Sequence, residues 1–207
     1  MSSTVAVLDF ETTGLSPDMG DRTTEVAVVV MENGRPVAEF QSLMNADVKI
    51  PAYVTELTKI SNAMIREAPP IGEVMRELSR FIGDLPLIAH NASFDRKFLD
   101  AEFARIRIKR KAHFICSMRV ARRIYPTAPN HKLGTLVAYT GIPVSGQLHR
   151  ALADAQMTAS LWTQMQTDLR QLYRLRAAPL ELMRHLESTP RREVNNFVDR
   201  YRQQHGL

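Results

Sequence analysis

Apolar and polar positions along the chain follow two periods that alternate from one segment to the next. Residues 4–10, TVAVLDF, are apolar on both sides of the pleat, as expected for a central strand buried on both faces. TEVAVVVME (24–32) and PVAEFQSLM (36–44) predict two further strands, joined by the tight turn Asn33-Gly34. A helix is expected after Pro69-Pro70, running to about Ile82, and LPLIAH (85–90) reads as a short buried strand. NASFDRKFLDAEFARI then takes helical spacing, with Phe94, Phe98 and Ala101 on one face. HFIC predicts a brief strand, followed by helices around 117–124 and 132–139. A long helix is predicted from about Ala151 to about Leu175, with Leu152, Ala155, Ala159, Trp162 and Leu169 along one side. A strand cluster followed by alternating strands and helices implies an α/β fold, a mixed sheet flanked by helices.

After Ala177-Ala178-Pro179 the composition shifts and two short helices are expected, the second opening at Thr189-Pro190. The pattern therefore divides into a main domain, 1–176, and a helical C-terminal extension, 177–207. Val194, Phe197, Val198 and Tyr201 form one apolar stripe. Such a stripe packs back on its own domain or docks another protein.

The 207 residues, 44% hydrophobic and 24% charged, fit one globular domain of ordinary size and argue against disorder. A single cysteine, Cys116, cannot form an intramolecular disulfide and points to a reducing compartment. Met1-Ser-Ser-Thr leads straight into VAVLDF without a signal-peptide pattern. The longest aliphatic run, VAVVVM at 26–31, is too short to span a bilayer. A soluble, cytoplasmic protein with no membrane partner is expected. The net charge of +5 conceals an asymmetry: residues 1–95 carry 7 Lys/Arg against 14 Asp/Glu, and residues 96–123 carry 10 against 2. That basic block is a solvated face or a path for phosphates.

Acids interrupt the apolar pattern at three places. Asp9 and Glu11 lie two apart in a strand, so both project from one face of its end, about 7 Å apart. In HNASFD, His90 and Asn91 close a buried strand and Asp95 falls in the first turn of the next helix, where the helix dipole favours a carboxylate. In HRALADA, His149 and Asp154 are five residues apart, which on one helix separates them by about 140°. His149 is therefore expected in the preceding loop and Asp154 in the first helical turn. Alone, each pattern reads as a strand-end or capping acid. Together they place four hard oxygen donors at one sheet edge, a set that suits Mg²⁺ or Mn²⁺ and can hold two such ions.

Asp9-x-Glu11, Asn91-x-x-x-Asp95 with Phe94 before the acid, and His149-x4-Asp154 resemble the three motifs of the DEDDh 3′→5′ exonucleases. Those enzymes share a ribonuclease H-like fold and include bacterial polymerase proofreading subunits. The resemblance spans roughly residues 4–165. It implies that Asp9, Glu11, Asp95 and Asp154 hold two divalent cations and that His149 is the general base, imidazoles titrating near neutral pH. A mobile loop, Pro143 to Gln147, would carry His149 inward. It also implies a terminal nucleotide received by Thr12, Thr13, Gly14 and Leu15, with His90, Asn91 and Phe94 bordering the cleft. The implied substrate is the 3′ end of single-stranded DNA, with RNA as the alternative, and the implied partner of the extension a polymerase or other protein. The basic block then becomes the candidate backbone path, and loss of two of Arg105, Arg107, Lys109 and Arg110 should flatten the salt dependence of binding. A non-catalytic tethering module is the rival from another class. Two departures stand out: Thr58-Lys59-Ile60 where many members have Thr-Gly-Ile, and Cys116-Ser117 where many have Asp-Thr.

Overall fold

A computed structural model describes residues 4–143 and 149–207. The chain begins with an antiparallel meander of β1 (Thr4–Thr12), β2 (Thr23–Glu32) and β3 (Arg35–Leu43). Helices α1 (Ala52–Thr58), α2 (Asn62–Glu67) and α3 (Ile71–Ile82) lead to β4 (Leu87–Ala89). Then come α4 (Ser93–Arg105), β5 (Phe114–Cys116), α5 (Ser117–Ile124), α6 (Leu133–Tyr139) and the long α7 (Ala151–Tyr173). α8 (Leu180–Ser188) and α9 (Val194–His205) follow. The sheet order is β3-β2-β1-β4-β5, with β4 parallel to β1 and β5 parallel to β4. This is the mixed sheet flanked by helices that the pattern predicts, with β1 at its centre. At the β2–β3 turn, Asn33 and Gly34 both take positive φ (51° and 77°), as a tight hairpin requires.

Alternation along the strands sorts the core into two layers. Val5, Val7, Ala27, Val29 and Ile88 face a core shared with Ala155, Trp162 and Leu169 of α7. Ala6, Leu8, Phe10, Val26 and Val28 face the opposite core, under α3 and α4, with Leu78, Phe98 and Phe103. The period of two carries the first row onward to Asp9 and Glu11, so both acids look towards α7. This parity is the structural origin of the site.

Two details differ from the sequence pattern. α1 and α2 lie in a stretch where periodicity predicts no element. They are seven and six residues long, too short for a 3.6-residue period to register, and they enclose a small cluster of Ile50, Val54, Ile60 and Ile65. Lys59 ends α1 with φ +61°, a conformation that favours glycine and explains the Thr-Gly-Ile of many family members. In α4 the buried strip is Asp95, Phe98, Leu99, Glu102 and Phe103, while Phe94 and Ala101 are only partly covered. Two acids on the buried side mislead a hydropathy reading; Glu102 is there because Arg22 grips it with bonds of 2.8 and 2.9 Å.

Leu182, Met183, Leu186, Val194, Val198 and Tyr201 of α8 and α9 belong to the same core as β1 and α7. Among the described residues no helix is long and apolar enough to cross a membrane. Because Leu186 is fully buried in that shared core, Leu186→Ala should cost about 2–5 kcal/mol in urea denaturation. A loss below about 1 kcal/mol would mean that the two helices pack only loosely.

Candidate active site

β4 pairs with β1 only at Ala6 and Val7, so β1 continues past the end of its neighbour. The exposed stretch of backbone is met by a side chain: the Phe10 N–H donates to Asp95 Oδ1 at 3.2 Å. Asp95 sits in the first turn of α4 and is 2% exposed. From the other side, Asp154 in the first turn of α7 approaches the two strand acids. Carboxylate oxygens of Asp9, Glu11 and Asp154 lie within 4.8 Å of one another. Asp95 is outside that tight trio but close enough to act on Asp9.

These groups disfavour one another's charge. Burial, then repulsion from Asp95, Asp154, Glu11 and Glu25, holds the Asp9 carboxyl well above the usual carboxylate range. Burial and the charges of Asp154, Glu25 and Asp95 push Glu11 up to about 8, against a partial counteraction by Arg150. Asp95 rises to about 7 through burial, against the backbone hydrogen bonds it accepts. Asp154 is raised by burial and pulled back by His149. Desolvated, mutually repelling oxygens without a sulfur ligand form a set that hard divalent cations fit.

A fifth acid, Glu25, stands directly across from Glu11 in the β1–β2 register and is fully buried. Its fate is different. Arg150 Nη2 and Nε donate to it at 2.7 and 3.1 Å, the Ala151 N–H at 3.1 Å and Gln41 at 2.9 Å. Burial opposes its charge, but these donors together hold its carboxyl below the usual range. Arg150 is the N-cap of α7, so Glu25 fixes the helix that carries Asp154 and the residue next to His149. Neither Glu25 nor Arg150 was singled out by the motifs. The signal was present: an acid at the parity of Asp9 and Glu11 inside the apolar run TEVAVVVME needs a buried partner.

His149 adopts φ +62°, with its N–H donating to Asp154 Oδ2 at 3.2 Å. With Asp9, His90 and Asp154 it lines a cleft of about 570 Å³, whose other side is formed by Lys132 to Thr135. The Pro143–Gln147 loop expected to move His149 lies outside the described residues from 144 onward. His90 borders the cleft but both ring nitrogens are engaged. Nε2–H donates to the His131 carbonyl at 2.9 Å, and Nδ1 lies 2.9 Å from the Ser117 hydroxyl. Burial first among the causes lowers its pKa and keeps the ring neutral, so Nδ1 accepts. Ser117 thus supplies the hydroxyl that many members have as threonine.

The Thr12–Leu15 segment is tightly built. Thr12 Oγ1 donates to the Gly14 carbonyl at 2.6 Å, and Thr13 Oγ1 to Asp21 at 3.2 Å. A Cβ on Gly14 would stand 2.4 Å from the Asp21 carboxylate, so glycine is required by a close approach. Leu15 is 76% exposed, and Lys97 donates to its carbonyl. Phe94 packs against Phe98, tilted by 50°, beneath Lys97 and does not line the cleft, while Asn91 faces a neighbouring groove. In the basic block, Arg110 is bound to Asp100 at 2.8 and 2.9 Å and Arg105 meets Glu102 at 3.7 Å.

Two outcomes follow from this electrostatics. In metal-free protein, folding raises the Glu11 and Asp95 carboxyls from 4.5 and 3.8 to about 8 and about 7, so the folded state binds more protons between those values. Their contribution is complete below the unfolded pKa values and lost as pH rises through the folded ones. Calorimetry in EDTA should show Tm falling from about pH 5 to about pH 8, and Mg²⁺ or Mn²⁺ should counter the fall; a rising Tm would remove this account. Separately, Arg150→Met should cost on the order of 3 kcal/mol by leaving Glu25 buried without its guanidinium. Adding Glu25→Gln should recover part of that loss in the same denaturation series.

Residues 6–162 match the exonuclease family RNase_T. DNA polymerase III PolC-type of Bacillus subtilis (strain 168) is 36% identical over 167 residues, 80% of this chain. The chain spans only 12% of that relative's length. Among solved structures, exonuclease X in complex with 5′ overhanging duplex DNA superposes with TM-score 0.70 at 25% identity, covering 89% of this chain and 99% of its own. E. coli exonuclease I with a dT13 oligonucleotide shares the fold at TM-score 0.71 and 17% identity, over 83% of this chain and 43% of its own. With the motifs, the mixed sheet and the clustered acids in place, the chain belongs to the RNase_T exonuclease family, the DEDD 3′→5′ exonucleases of ribonuclease H-like fold.

Proposed function

We propose that the chain removes nucleotides from the 3′ end of single-stranded or frayed DNA, releasing nucleoside 5′-monophosphates in proofreading or repair. The observation that carries this reading is the gathering of Asp9, Glu11 and Asp154 within 4.8 Å, with Asp95 behind them and His149 on the same cleft. Asp9, Glu11, Asp95 and Asp154 would hold two divalent cations, Mg²⁺ or Mn²⁺. When bound, the cations supply Lewis acidity towards water and towards the scissile phosphate.

The remaining chemistry falls to the chain's own groups. His149 takes the proton of the attacking water on its imidazole, and Asp154 keeps the His149 backbone in place. Glu25 and Arg150 hold the start of α7 against the strand acids. Thr12, Thr13 and Gly14 form a rigid loop that offers backbone to the terminal sugar, and Leu15 projects against the base. His90, neutral and held at both nitrogens, is a fixed wall of the cleft; Asn91 and Phe94 shape the turn beside it.

DNA is favoured because exonuclease X and exonuclease I were solved with DNA, and because the PolC-type relatives are DNA polymerases by name. The same relatives motivate a polymerase partner, with the outer surface of α8 and α9 as its docking element. RNA is the second reading, since one or two contacts to a 2′-hydroxyl decide between the two.

End-labelled DNA and RNA of matched sequence, incubated with Mg²⁺, Mn²⁺ or EDTA, test this directly. DNA should shorten stepwise from its 3′ end, with EDTA or Asp9→Ala abolishing the reaction and His149→Ala slowing it about 10²–10⁴-fold. Faster loss of RNA would move the substrate to the ribonuclease branch. No degradation of either would leave a tethering module.

A further inference from the structure

We infer that the groove between the first turn of α4 and the outer face of α5 is a separate nucleic-acid subsite, binding backbone phosphates of the strand whose 3′ end enters the acid cleft. The inference rests on the exonuclease reading for the identity of that strand. Arg96, Arg119 and Arg122 line the groove with Asn91, Ser93 and Phe114 around a volume of about 290 Å³. Arg119 and Arg122 are three apart on one helix and so rise from the same face.

Their charges are poorly compensated. Among the described residues Arg96 meets no carboxylate within 4.0 Å. Among the described residues Arg122 makes a hydrogen bond only to the Met118 sulfur, at 3.8 Å, and Arg119 reaches Glu187 at 3.6 Å. Glu187 also lines the groove, leaving three guanidinium groups against one carboxylate. Next to them, Arg123 has its pKa lowered by burial and then by the charges of Arg119 and Arg122. Self-repelling guanidinium groups held open to solvent are a site for a polyanion, and their planar forks match phosphate oxygens.

The arginines that looked equally available in the sequence are arranged otherwise. Arg110 is committed to Asp100 through two bonds, and Arg105 to the buried Glu102. Arg105 also closes the far end of the 13-residue α4, roughly 15 Å from Asp95 by helical rise. The groove, in contrast, adjoins the cleft. His90 lines one and Asn91, its neighbour, the other; Ser117, which bonds His90, begins α5. A strand leaving the cleft past His90 meets Arg96, Arg119 and Arg122 first.

Fluorescence anisotropy of a labelled thymidine dodecamer in Ca²⁺ buffer, titrated with salt, reads the phosphates directly. Each phosphate contact on a single strand contributes a slope of about 0.7 in log Kd against log salt. Arg119→Gln/Arg122→Gln should therefore make the slope shallower by about 1.4, and Arg119→Lys/Arg122→Lys should restore it. Arg107→Gln/Lys109→Gln should leave it as in the wild type. Single Arg122→Gln, expected to lose about 0.7, serves if the double variant does not fold. An unchanged slope in the groove variants, or the loss appearing in the Arg107/Lys109 pair, would overturn the inference. Wild-type hydrolysis of the p-nitrophenyl ester of thymidine 5′-monophosphate, which has no upstream phosphate, judges the catalytic reading separately. Its absence would sink that reading while the slopes still decide the groove.

Discussion

The site is governed by repulsion between carboxylates held where water is scarce. Two like charges 4–5 Å apart repel by about 3–4 kcal/mol at an effective dielectric near 20, and five acids share one end of β1 and its neighbours. The fold resolves the conflict unevenly. Glu25 receives a guanidinium and two further donors, which settle it as an anion. Asp9, Glu11, Asp95 and Asp154 receive no guanidinium hydrogen bond among the described residues, and all four are pushed towards the protonated form. One acid is therefore structural, and the other four retain an unsatisfied demand for positive charge. A divalent cation answers that demand without adding bulk to the core.

That division also explains how three distant segments stay in register. β1 fixes Asp9 and Glu11 through its pairing with β2, and Asp95 is tied to β1 by the Phe10 N–H. Without a polar anchor, packing alone would position the first turn of α7 and leave it freedom to shift. The Glu25 carboxylate removes that freedom by binding both Arg150 and the Ala151 N–H. The left-handed His149 backbone is in turn held by Asp154. Strain at a non-glycine residue persists where the surroundings over-determine it, as these two anchors do.

Much of this was legible in the sequence, for identifiable reasons. The strands and long helices carry clear periods of 2 and 3.6, and Asn33-Gly34 marks its turn without ambiguity. The acids stood out because each breaks an apolar pattern at an element end. What stayed hidden is of two kinds. α1 and α2 are shorter than two full turns and leave too few apolar positions to count. Glu25 and Glu102 are buried charges and Arg22 a half-buried one, whose tolerance depends on partners 80 to 126 residues away in the chain. Local patterns cannot show such pairings. Hydropathy set Phe94 on the apolar face of α4 for a related reason: the helix turns Asp95 and Glu102 inward and leaves that ring partly exposed.

The charge asymmetry of the chain now has a physical division of labour. Asp9, Glu11 and Asp95 of the first half meet Asp154 of α7 at one end of the sheet, where they are short of cations. Bases of residues 96–123 are not equivalent: some are bound into the fold by Asp100 and Glu102, while those beside the cleft stay loosely partnered. A strongly negative substrate approaching the acids alone would be repelled. Flanking guanidinium groups offset that field over a Debye length of about 10 Å. On the proposed reading, cations held between the acids and arginines beside them would solve the same problem at two ranges: the first at the phosphate that is cut, the second at the phosphates that lead to it.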